Sequence, residues 1–333
     1  MLIDIHAHII PEHFPLAASR ASAGRWPSMD HFEPGQARVM IAGQNFRTVH
    51  AGNWDVERRL ADMDGAEVNA QAISCLPELM SYWFTPEDGL EMNRYVNDYI
   101  LGMCARAPGR FFGLAGVPLQ DPDLASKELA SIKAAGHVGI QIGSNILGKS
   151  LGDERFVGFF QEVERQGLAV FAHALHPTFL DRIGEALANA IGFPTDTGLS
   201  IASLIQSGTA DKVPNLRIAF SHGGGTFPFM LPRYHNGWGG TWDEAPPSRA
   251  TTGSDPAATA RRFYYDTLVF DARPLRYLIE EIGASQLVIG TDYPYVTQEK
   301  PAATTLRKLN LPQQTLDDIT WNNGFRWLGT KAP

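Results

Sequence analysis

The sequence predicts a (β/α)8 barrel of the TIM type, within the α/β class, and three observations predict it. Counting the run at the N-terminus, eight short apolar runs alternate with segments of helical period along the chain. Four of those runs end in a histidine or aspartate, and the C-terminal strand ends are where barrel sites lie. No dinucleotide fingerprint follows the first run, where His-Ala-His stands instead of Gly-x-Gly, so a doubly wound sheet is disfavoured. Residues 1–333 are read as a single barrel domain, a length such barrels often reach.

Composition narrows the function classes. The 333 residues are 44% hydrophobic and 19% charged, ordinary for a globular chain with a large core. Net charge is −8 with no Lys/Arg cluster, which argues against a nucleic-acid footprint. Two cysteines, Cys75 and Cys104, without a CxxC, exclude a disulfide framework. Asp4 and His6 interrupt the N-terminus, which lacks a signal-peptide pattern, and no apolar run reaches membrane-span length. A cytoplasmic enzyme is the expectation.

The elements follow in order. Leu2-Ile3-Asp4-Ile5-His6-Ala7-His8 reads as a buried strand, with Asp4, His6 and His8 expected on one face and Ile3, Ile5 and Ala7 on the other. Residues 12–50 read as an insertion folded over that strand end. Within it, 37–41 and 45–49 flank a glycine turn and predict a β-hairpin. Strand and helix then alternate: helix 55–63, strand 69–74, helix 87–106, strand 110–117, helix 121–135, strand 138–142, helix 153–165, strand 168–173. A helical region runs to about residue 207, then strand 216–222 and a helix from Phe227 to Tyr234. Gly, Pro, Ser and Thr dominate 237–256, expected as an irregular loop. Strand 263–266, helix 274–282, strand 286–290 and two closing helices complete the pattern.

The polar strand ends suggest chemistry. His6 and His8 end the first strand, His173 the fifth, His222 the sixth and Asp292 the eighth. Any one alone is better read as a core histidine or a helix cap; all four ends together at one barrel mouth are not. Three imidazoles and a carboxylate can hold one divalent ion with room for water, and a bound metal lowers the pKa of that water toward ~7. The fifth group, taken as His222, is then free to move a proton. His176 is a weaker ligand candidate, and His13, His31, His50, His137 and His235 read as surface or loop residues.

The arrangement resembles the amidohydrolase superfamily, and within it the aminocarboxymuconate-semialdehyde decarboxylase family. The strings that carry the resemblance include 3–8 (Ile-Asp-Ile-His-Ala-His), 53–55 (Asn-Trp-Asp), 81–83 (Ser-Tyr-Trp), 139–143 (Gly-Ile-Gln-Ile-Gly), 221–225 (Ser-His-Gly-Gly-Gly) and 290–294 (Gly-Thr-Asp-Tyr-Pro). The resemblance implies one zinc, with Mn2+ as the second candidate, on His6, His8, His173 and Asp292. It implies His222 as the catalytic histidine, Arg47 on the substrate carboxylate, and Arg233 supplied by the neighbouring subunit of a homodimer. The sequence departs from that family too. Strand four reads Ile140-Gln141-Ile142 without the bridging lysine of dinuclear members, so one metal is expected. Ala174-Leu175-His176-Pro177 replaces a Pro-Trp pattern, Asn189 falls on a tryptophan that lines the substrate, and Tyr295 replaces a phenylalanine.

Three readings compete. The first is a non-oxidative decarboxylase of an unsaturated or aromatic carboxylate, either aminocarboxymuconate-semialdehyde-like or hydroxybenzoate-like, with His222 or Asp292 delivering the proton. The second is a metal-dependent hydrolase of a C–C, amide or lactone bond in aromatic-compound catabolism. The third is a barrel with a structural zinc, which would need neither His222 nor converging arginines. Arg47 and Arg233 favour the first, because only decarboxylation needs a held carboxylate that leaves.

Overall fold

Strand β1 (Ile3–Ile9) is buried along its whole length, and the rest of the barrel is laid beside it in chain order. The computed structural model describes residues 1–16, 20–238 and 253–333. Most of the loop expected at 237–256 therefore lies outside the described residues, and its last residue, Pro256, opens the short helix Pro256–Ala260.

After β1 come β2 (Ser28–Glu33), β3 (Gln36–Ile41) and β4 (Gln44–His50), then α1 (Val56–Gly65) and β5 (Ala70–Cys75). Helix α2 (Pro86–Arg106), β6 (Phe111–Ala115), α3 (Pro122–Ala135) and β7 (Gly139–Gly143) follow, with a small hairpin of β8 (Asn145–Ile146) and β9 (Lys149–Ser150). Next are α4 (Val157–Gln166), β10 (Ala169–His173), α5 (Leu180–Ile183), α6 (Phe193–Gln206), α7 (Thr209–Lys212) and β11 (Ile218–Phe220). Helices α8 (Phe227–Gly237) and α9 (Pro256–Ala260) lead to β12 (Tyr264–Asp266), α10 (Ala272–Ile282) and β13 (Leu287–Val288). Two helical segments end the chain as expected: α11 (Thr304–Arg307), and α12 (Gln313–Asp317) running through a π-helical turn, Asp318–Asn322, into α13 (Asn323–Leu328).

Eight strands form one parallel sheet in the order β1-β5-β6-β7-β10-β11-β12-β13. Bridges from Asp4 to Ile289 and from Ala7 to Tyr293 bring the last strand back to the first. The closing hydrogen bonds are Ile5 N–H to the Ile289 carbonyl and His8 N–H to the Tyr293 carbonyl, each 2.8 Å. Strands β11 and β13 are shorter than their apolar runs, because the chain leaves the ladder early to form the turns that carry His222 and Asp292.

The local rules are visible in the sequence. Asp55, Thr85 and Asp121 cap α1, α2 and α3, each side-chain oxygen accepting a backbone N–H three residues on. Pro86 and Pro122 stand at the first helical position, where the missing N–H costs nothing. The interior of the barrel is filled by Ile3, Ile5, Ala72, Leu114, Phe171, Ala219 and Val288. Phe325, Trp327 and Leu328 of α13 pack onto the same cluster, and Trp327 Nε1 donates to the Val170 carbonyl at 3.3 Å.

The insertion contains the expected hairpin and one strand more. Strands β3 and β4 pair across Ala42-Gly43, both at positive φ as a two-residue hairpin turn requires. Strand β2 adds to β3. Its residues Ser-Met-Asp-His-Phe-Glu are mostly exposed, so it lacks the apolar alternation that would mark it. Among the described residues no helix is long and apolar enough to cross a membrane.

Candidate metal centre

The imidazoles of β1 reach the barrel mouth through an irregularity in that strand. Asp4 pairs with Gln71 and Ala7 with Ile73, so β1 spends three steps where β5 spends two. One extra residue reverses the alternation of side chains. The expectation that Asp4, His6 and His8 share a face is corrected accordingly. Ile3 and Ile5 fill the barrel, and beyond the extra residue His6 lies inside as well, its ring centroid 5.0 Å from that of Phe171. Asp4 points elsewhere, accepting from Gln71 Nε2 at 3.2 Å and Thr291 Oγ1 at 2.7 Å.

One ligand atom from each of His6, His8, His173 and Asp292 lies within 4.8 Å of the other three. Each imidazole is committed on its Nδ1 side. His6 Nδ1 bonds Asp266 Oδ2 at 2.7 Å, His8 Nδ1 the Cys75 carbonyl at 3.1 Å, and His173 Nδ1 the Ala174 carbonyl at 2.7 Å. That leaves the three Nε2 atoms buried without a hydrogen bond. His6 Nε2 and His8 Nε2 each stand 3.4 Å from Asp292 Oδ1. Buried polar atoms that converge and remain unpaired are costly unless something fills the gap. Three neutral imidazoles and a carboxylate are a donor set for a divalent ion, so the residues present fit a metal.

The electrostatics point the same way. Burial pushes His8 down to about 4 and His173 well below the ordinary imidazole value. Burial opposes the charge on His6 as well, but Asp266 and Asp292 outweigh it and lift His6 to about 10. Asp292 is held far below the usual carboxylate range against the cost of burial, because His6 and His8 face it closely. The cluster thus favours a cation between two carboxylates, and a divalent ion competes with that proton.

Asp266, at the end of β12, is a functional residue that the sequence reading missed. Its Oδ2 fixes His6, and its Oδ1 accepts the Gly223 N–H at 2.8 Å and the Leu268 N–H at 3.1 Å. One carboxylate therefore orients a ligand and the turn that carries His222. The available signal was a carboxylate at the end of the short strand read at 263–266.

His222 lies at φ +56°, and Gly223, Gly224 and Gly225 also have positive φ. A Cβ on Gly225 would lie 1.8 Å from the Pro194 carbonyl oxygen, which explains why the turn needs glycine there. The His222 ring centroid is 5.3 Å from that of His6 and 5.4 Å from that of His173, outside the ligand group. Burial and the nearby His6 push its pKa below the ordinary imidazole value.

A cavity of about 130 Å³ opens onto the cluster. His8, His173, His222 and Asp292 line it, and so do Arg47, Glu78, His176, Asn189 and Tyr295. Arg47 reaches it from β4, its guanidinium 4.7 Å over the Tyr295 ring and Nη2 3.6 Å from Glu78 Oε1. Arg233 is brought elsewhere: it is exposed on α8 and does not line its own chain's cavity. Gln141 is buried and donates to the Cys75 carbonyl at 3.0 Å, outside the ligand group. His176 lies at the exposed edge of the cavity, also outside that group.

The amidohydrolase family model matches residues 3–330. The chain is 33% identical over 330 residues to 2-amino-3-carboxymuconate-6-semialdehyde decarboxylase of Dictyostelium discoideum, covering 98% of this chain and 91% of that one. It is 30% identical over 304 residues to gamma-resorcylate decarboxylase of Rhodococcus jostii, covering 86% and 87%. Among solved structures, the apo IDCase of Metarhizium anisopliae superposes with a TM-score of 0.80 at 21% identity, covering 99% of this chain and 97% of that one.

Proposed function

We propose, on the premise that this chain belongs to the amidohydrolase family, that it is a metal-dependent, non-oxidative decarboxylase of an unsaturated or aromatic carboxylate. The observation that carries the reading is Arg47 on the wall of the cavity that ends at the His6–His8–His173–Asp292 cluster. A held carboxylate beside a metal site suits loss of CO2; hydrolysis by activated water needs no such grip. Both curated relatives named above are decarboxylases.

His6, His8, His173 and Asp292 would hold one ion, zinc by default and manganese as the second candidate. When bound, the ion supplies Lewis acidity at an oxygen or nitrogen substituent of the substrate. Arg47 binds the carboxylate through its planar fork and turns it out of the plane of the conjugated system. The bond from that carbon to the carboxylate then breaks, CO2 leaves, and the electron pair stays on the carbon. His222 delivers the proton that this carbon takes up, with Asp292 as the second candidate donor. His222 Nδ1 is buried and has no hydrogen bond among the described residues, which suits a group that must exchange a proton.

Arg233 would complete the site from a partner subunit. It shares α8 with the exposed Phe229 and Met230, an apolar surface next to a cation, and a homodimer would cover it.

The test is a screen of hydroxy- and aminobenzoates and carboxymuconate semialdehydes that scores CO2 release against water-dependent cleavage. CO2 without incorporation of labelled water into an acyl product is expected; the reverse would make the enzyme a hydrolase. His222→Ala should keep about one metal ion per chain and lose ~10²–10⁴ in rate. Loss of the metal in that variant would reassign His222 as a ligand.

A further inference from the structure

Among the described residues Glu78 is the one carboxylate on the cavity wall outside the ligand group, and the decarboxylase reading gives it no role. It sits in the turn Pro77–Met80 that follows β5, and it is 7% exposed. Oε1 faces Arg47 Nη2 at 3.6 Å, an ion pair too long for a hydrogen bond. Oε2 is buried and has no hydrogen-bond partner among the described residues. An acidic oxygen in this state is costly, and a ligand that donates to it relieves the cost.

We infer that Glu78 selects the substrate, taking a carboxylic acid that carries a hydrogen-bond donor, a hydroxyl or amino group, on the Arg47 side of the cavity. The inference rests on the decarboxylase reading for the carboxylate and on Glu78 for the donor. Arg47 lies between the two, its fork wide enough to hold a ligand carboxylate while one nitrogen faces Glu78. A methyl ether or dimethylamino group at the same place offers no proton and leaves Oε2 unpaired. A second carboxylate there meets like charge. Tyr295 forms the adjoining wall, beneath the Arg47 guanidinium and stacked on His8 at 5.7 Å between ring centroids, so the donor side lies against the cluster. Discrimination of this kind is stronger than size exclusion, because the wrong ligand strands a buried polar group.

The experiment uses the metal-loaded protein with positional isomers of hydroxy- and aminobenzoate, each beside its O-methyl or N,N-dimethyl counterpart. Dissociation constants come from calorimetry, and CO2 release is followed in parallel. The wild type should prefer at least one donor-bearing acid over its methylated partner by about 10- to 100-fold. Glu78→Val should bring that ratio close to one, and Glu78→Gln, which keeps an acceptor and the shape, should fall between. If Glu78 only tethers Arg47, both members of a pair weaken together and the ratio stays constant, which overturns the inference. An unchanged ratio in Glu78→Val, or no donor preference in the wild type, overturns it too. A donor preference that depends on Glu78 without any CO2 release overturns the decarboxylase reading and leaves the assignment of Glu78 standing.

Discussion

Asp266 shows how much one side chain can organise. It holds His6 by Nδ1 and the His222 turn by the Gly223 N–H, so His6 and His222 share a support. Asp266→Asn keeps the shape but replaces an acceptor with a donor and removes the charge. Partners of this kind typically change metal affinity 10- to 100-fold. Asp266→Asn should therefore weaken metal binding by about that factor in a chelator competition, and activity should recover partly with added metal. Unchanged affinity would limit Asp266 to a structural role. The contrast with Asp292 explains what could be read beforehand. Asp292 follows an apolar run and precedes Tyr-Pro, whereas the contacts that tie Asp266 to the site reach back 43 and 260 residues along the chain.

Elements explain the other discrepancies. The alternation in β1 was legible, but its reversal at the extra residue was not, because such an irregularity arises from pairing with β5 rather than from composition. Strand β2 was invisible because its side chains face water. Helix α3 carries a testable consequence of its own ending. Gly136 at φ +110° stops it, and the next residue, His137, turns inward with its N–H donating to the Ile132 carbonyl at 3.3 Å. This position usually takes an apolar side chain, and here an imidazole read as a surface group is 2% exposed. Burial lowers His137 to about 4. The unfolded chain takes up a proton below about 6.5, and the native chain only below about 4. The stability present above pH 6.5 is thus lost as pH falls through that window, by roughly 2–3 kcal/mol at pH 4. His137→Leu should remove that part of the acid sensitivity in urea titrations at pH 7 and pH 4.5. An identical pH dependence in both proteins would rule the explanation out.

At the scale of the whole molecule the question is how many chains make a site. The cavity has Arg47 from its own insertion, while Arg233 lies outside on α8. Mixing Arg233→Ala with His222→Ala subunits tests the shared site, since one hybrid site retains both residues. Random pairing should restore activity to about a quarter of the sites. No recovery despite proven heterodimers would assign Arg233 another role. The barrel and its ligand ends were legible because eight apolar runs and four polar strand ends repeat a known pattern. Glu78 was not, because a glutamate in a turn looks like any surface acid until the fold buries it.

Closure of the barrel has a further consequence, for the order in which the protein comes into being. His6 and His8 are synthesised before Asp292, which follows all the intervening strands; only then can Ile289 and Tyr293 pair with β1. A nascent chain that stops short of that seam carries histidines but no complete nest for an ion. The four side chains that could share an ion therefore come together only in a chain that has been made at least as far as Asp292.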